Sequence, residues 1–102
     1  MMNRHEGRRA TAETADEREA RIERAVRAAL DAPEDSRCAD ALRGLVAGHA
    51  AARRAEGATP EAAIIDLKEC LGRAAHSTGS VEARDLRERL VRWCIEAYFR
   101  AD

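Results

Sequence analysis

SVEARDLRERLVRWCIEAYFRA, residues 80–101, holds the only Trp, Tyr and Phe of the chain. At about 100° per residue, Leu86, Leu90, Trp93, Cys94 and Ala97 fall on one broad helical face. Val91, Ile95 and Tyr98 widen that face, leaving Arg89, Arg92, Glu96 and Arg100 as a narrow polar stripe. A helix this apolar must be largely enclosed. The spacing therefore predicts the central element of a helical bundle, with Leu86, Leu90, Trp93, Cys94 and Tyr98 in its core.

Working outward, three further helices are legible. Thr14-Ala15-Asp16-Glu17 matches a capping box and opens a helix over about 15–31, whose apolar stripe is Ile22, Val26, Ala29 and Leu30 and which stops before Pro33. Asp35 or Ser36 can cap a second helix of about 36–56, with Cys38, Leu42, Leu45, Val46 and His49 along one side and Gly57 as its stop. Gly44 and Gly48 lie inside it, where glycine costs up to about 1 kcal/mol against alanine, so a close approach of another backbone is expected there. Thr59-Pro60-Glu61 starts a third helix of about 60–75, seamed by Ile64, Leu67, Leu71 and Ala74, with Ile65 widening the seam. The turn HSTGS follows, and Ser80 caps the aromatic helix. No segment alternates apolar and polar residues over a strand's length. The expected class is all-α, a small four-helix bundle of up-down-up-down order, with residues 1–12 a disordered tail and 13–102 a single helical domain.

Composition narrows the function classes. The chain has 102 residues and a formal charge of −1 with 36% charged side chains, so no net field draws it to nucleic acid or to an anionic membrane. Of its 18 basic residues only Lys68 is lysine, and alanine is abundant, the coding bias expected of a high-GC bacterial genome. A bundle of this size buries only a little above ~60% of its unfolded surface, so its core is small and its stability margin thin. The first residues carry basic character but no apolar h-region, and no apolar run approaches the ~18 residues of a membrane span, so a cytoplasmic protein is expected.

Cys38, Cys70 and Cys94 are an odd number on three helices, with no C-x-x-C, H-x-x-x-H or Glu-x-x-His spacing beside them or beside His49 and His76. They read as reduced packing thiols, and no metal and no cofactor is expected. No nucleophile stands next to a base, no carboxylates pair and no glycine-rich phosphate loop occurs, so the chain does not read as an enzyme. His49, beside an apolar face, reads as a structural histidine. The third and fourth helices have helix-turn-helix proportions, but the fourth opens with Val81, Glu82 and Asp85 where a recognition helix presents donors, and Arg4, Arg8 and Arg9 give only weak phosphate contact.

The leading expectation is a small adaptor or regulatory protein acting through protein contacts, its partner either itself, as a homodimer, or another protein. A transcription-associated DNA binder using the third and fourth helices is the alternative. The expected interaction surface is the thin first helix, Ile22, Val26 and Leu30, together with Phe99 at the edge of the fourth.

Overall fold

The computed structural model describes residues 14–75 and 80–100. All regular structure among them is helical, in four elements: α1 (Ala15–Asp31), α2 (Ser36–Ala55), α3 (Pro60–Ala74) and α4 (Val81–Arg100). The tail, Arg4, Arg8 and Arg9 within it, and His76 lie outside the described residues.

Local chemistry sets each helix end. The Thr14 hydroxyl accepts from the Glu17 N–H at 3.1 Å while the Glu17 carboxylate accepts from the Thr14 N–H at 3.0 Å, a reciprocal cap that satisfies two otherwise orphaned donors. Asp35, rather than Ser36, caps α2 and accepts from the Arg37 N–H. α2 ends in a Schellman turn: the Ala58 N–H returns to the Arg53 carbonyl and the Gly57 N–H to that of Arg54, with Gly57 at φ 86°. Thr59 caps α3 with Pro60 at its first position, and the Ser80 hydroxyl accepts from the Ala83 N–H at the start of α4.

The helices form a ring in the order α1, α2, α4, α3, with α2 and α3 facing across one diagonal and α1 and α4 barely touching across the other. Residue pairs give the directions. Cys70 and Arg73 reach Glu19 and Glu23, and Arg27 and Asp31 border the same hollow as Ala74 and Ala75, so α1 and α3 run parallel. Asp35 and Ala39 sit near Glu82 and Asp85, while Arg54 reaches the Tyr98 carbonyl, so α2 and α4 also run parallel. Consecutive helices are therefore not always ring neighbours, as a simple up-down meander would make them. Residues 56–59 carry the chain across the short diagonal.

One apolar core fills the ring. Ile22, Val26, Leu42, Val46, Leu67, Cys70 and Cys94 are fully enclosed, and Leu86 and Leu90 join them. Two expectations change here. α4 is not central, because it packs chiefly on α2 and α3, barely touches α1 and leaves its outer side to water; Leu86, Leu90 and Cys94 are core, but Trp93 and Tyr98 are only half-buried against it. A Cβ placed on Gly44 or Gly48 meets nothing within 4 Å, so no backbone approaches them closely. Both lie on the exposed side of α2.

Candidate functional site

Three features could carry function: a polar chain inside the bundle, an apolar face on α3 and α4, and a cleft at one end.

The polar chain begins with His49, on the stripe of α2 that Leu42 and Val46 place in the core, and its side chain is completely buried. Arg18 of α1 donates from Nε to His49 Nδ1 at 3.0 Å, and Asp66 of α3 lies 2.9 Å from Nε2. Nδ1 must accept from a guanidinium, which has no lone pair to offer, so the ring proton resides on Nε2 and is donated to Asp66 Oδ2. The same carboxylate oxygen accepts from Arg53 Nε at 2.9 Å, and Arg53 continues to Glu56 at 3.0 Å. Arg18 Nη2 is buried without a hydrogen bond, its nearest counter-charge being Glu56 at 3.8 Å. This chain ties α1, α2 and α3 together and fills the diagonal between α2 and α3. A His–Asp pair can serve as a general base, but both ring nitrogens are engaged and the ring is sealed from water, so it has no route to a substrate.

One turn further along the same side of α3, Cys70 is enclosed. Its thiol donates toward the Glu19 carbonyl, Arg73 Nη2 approaches its sulfur at 3.5 Å, and Arg73 also pairs with Glu23 and Glu19. Burial pushes the Cys70 thiol up to about 11; Arg73 opposes this and the nearby Glu19, Glu23 and Asp66 add to it. Burial likewise raises Cys94. Thiols held in this state are poor nucleophiles and poor metal ligands. Cys38 is half-buried, and all three are free. Among the described residues no three His, Cys, Asp or Glu side chains are grouped to hold a metal ion, and no helix is long and apolar enough to cross a membrane.

The expected interaction surface is redistributed. Ile22 and Val26 are fully buried, because α1 is flanked by α2 and α3 and spends its stripe on the core. Leu30 is half-buried and lines the end cleft. Phe99 is 67% exposed, and Ile65 and Ile95, expected to widen the enclosed faces of α3 and α4, are instead 54% and 41% exposed because each lies at the edge of its helix's buried stripe or beyond it. Tyr98 Oη donates to the Ala58 carbonyl just before α3 begins, so the end of α4 lies beside the start of α3. Ile65 and Ile95, each five residues from those ends, therefore stand at one level. Cys70 marks the α1 side of α3, and Trp93 and Glu96, which meet Arg43, mark the α2 side of α4. By helical rotation Ile65 points outward from α3 and Ile95 outward from α4, with Phe99 one turn on from Ile95, so the exposed apolar side chains lie on the outer sides of two neighbouring helices.

The first turns of α4 place Glu82 and Asp85 on the cleft, carboxylates where phosphates and base edges call for donors. In comparisons with known proteins, the chain matches no family model, no curated protein and no solved structure.

Proposed function

We propose that this is a small helical adaptor or regulatory protein, acting through protein contacts rather than catalysis, and that it self-associates as a homodimer through the outer face of α3 and α4. The observation that carries the reading is the exposure of Ile65, Ile95 and Phe99 together in a chain with few large apolar residues to spare. Single exposed apolar side chains are ordinary, whereas three on the outer sides of two neighbouring helices support docking of a partner. Burying each gains about 1.5–3 kcal/mol. The rim supports a second copy: exposed Glu61 and Glu69 lie on α3 and exposed Arg84 and Arg92 on α4. A two-fold axis that sets α3 of one copy against α4 of the other brings acid to base and makes the contact self-complementary.

Light scattering at micromolar concentration tests this. The wild-type chain is expected at twice its 11.2 kDa mass with a melting temperature that rises with concentration, and the Ile95→Asp/Phe99→Asp variant at the monomer mass with a cooperative, concentration-independent melt. A monomeric wild-type chain would refute self-association.

A further inference from the structure

At the end of the bundle away from Phe99, the last turn of α1, the 32–35 turn and the first two turns of α4 enclose a cleft of about 100 Å³. Its floor is apolar: Leu30, Pro33, Ala39 and Leu86. The volume is roughly that of three waters, or of one branched apolar side chain. Glu82, Asp85 and Arg89 stand at its rim, and among the described residues none of the three has a hydrogen-bond or ion-pair partner. Asp35, also on the rim, is already held by Arg37, whose side-chain and backbone donors keep its carboxyl below the usual range.

Two unpaired carboxylates thus outweigh one unpaired guanidinium around an apolar hollow. Arg89 is suited to a carbonyl oxygen.

We propose that this cleft binds a basic peptide segment of a partner protein: one apolar side chain seats between Leu30 and Leu86, an adjacent arginine or lysine pairs with Glu82 and Asp85, and Arg89 donates to the segment's backbone carbonyl. The occupant is chosen by charge and by size. A purely apolar segment leaves the carboxylates unpaired, an acidic one is repelled, and the hollow admits a single anchor. The site is separate from the self-association face and does not depend on it.

The probe is a short acetylated, amidated peptide of alternating leucine and arginine, titrated into the full-length ¹⁵N-labelled chain. The expected result is shifts centred on Leu30, Ala32, Ala39 and Glu82, an affinity that falls with added salt, and at least tenfold weaker binding to Glu82→Lys/Asp85→Lys. Ala39→Met, which fills the hollow without changing charge, should weaken binding comparably. Both variants are expected to melt with the wild type, which separates lost binding from lost folding. Charge reversal on the other face, Glu69→Lys/Glu88→Lys, and the Ile95→Asp/Phe99→Asp variant should bind as the wild type does. Equal binding of a leucine–glutamate peptide, indifference to the Glu82/Asp85 reversal, or loss of binding in the Ile95/Phe99 variant would overturn the proposal.

Discussion

At the scale of single residues, the glycines of α2 separate conformational cost from steric need. Gly44 and Gly48 are helical, exposed and surrounded by open space, so each carries the entropic penalty of glycine with no packing in return. Gly44→Ala and Gly48→Ala are expected to raise stability by up to about 1 kcal/mol apiece, measured by denaturant melts. Gly57→Ala should do the opposite by about 1 kcal/mol, because its φ of 86° is one that a Cβ disfavours. Cys70 yields a pH prediction. Its folded pKa is raised from 9.0 to about 11, so the fold holds the thiol's proton more tightly than the unfolded chain does. That contribution is full below pH 9 and disappears as pH rises through 11. The wild-type chain should therefore lose stability across that window relative to Cys70→Ala, and a parallel pair of pH curves would contradict the assignment.

At the scale of elements, the polar chain through His49 decides how three helices meet. Removing Asp66 strands the His49 Nε2–H and deprives Arg53 of an acceptor, so Asp66→Ala should cost about 2–3 kcal/mol, and an effect below about 0.5 kcal/mol would contradict the geometry. Arg18→Ala and His49→Ala should be non-additive, since they remove the two ends of one hydrogen bond. Much of this level was legible in advance. The caps at Thr14, Thr59 and Ser80, the proline at the head of α3, the Gly57 stop and the Ile22/Val26 and Leu42/Val46 stripes are all local signals, and each helix was found within a residue of its bounds. The partners of His49 were not found, because Asp66 is 17 residues away and Arg18 is 31 away, and no spacing rule links separate helices. A hint was present: Arg18 lies four residues before Ile22 and His49 three after Val46, so both occupy core register where charge needs a reason. Ring order left no such trace. Aromatic content suggested that α4 is central, yet enclosure depends on how many neighbours a helix has, which periodicity cannot report.

At the scale of the whole molecule, the core and the docking face draw on different residues, and mutation should separate them. Ile22→Asp or Val26→Asp places a charge among fully enclosed side chains and should prevent cooperative folding, whereas Ile95→Asp and Phe99→Asp should keep a cooperative circular-dichroism melt while halving the mass in solution. An Ile22→Asp chain that melts normally would mean that α1 is not packed as described. The ring order has a further consequence, in time rather than in energy. Because α1 lies beside α3 and α2 beside α4, the α1–α2 and α3–α4 hairpins can each form locally, but the ring closes only when the two dock on one another: contacts such as Cys70 with Glu19 and Arg43 with Glu96 join residues 51 and 53 apart. Loop-closure entropy grows only logarithmically, by about 0.6 kcal/mol per doubling of length, so equilibrium stability hardly registers the detour. Folding rate does, since it falls as native contacts become more distant along the chain. A permutant that joins α4 directly to α1 would pair the helices on the long diagonal, whereas the native 56–59 link already spans the short one. The chain is thus wired so that its slowest event is the docking of non-consecutive helices, and the Schellman turn at Gly57, formed locally and early, fixes the direction in which α3 departs to meet α1.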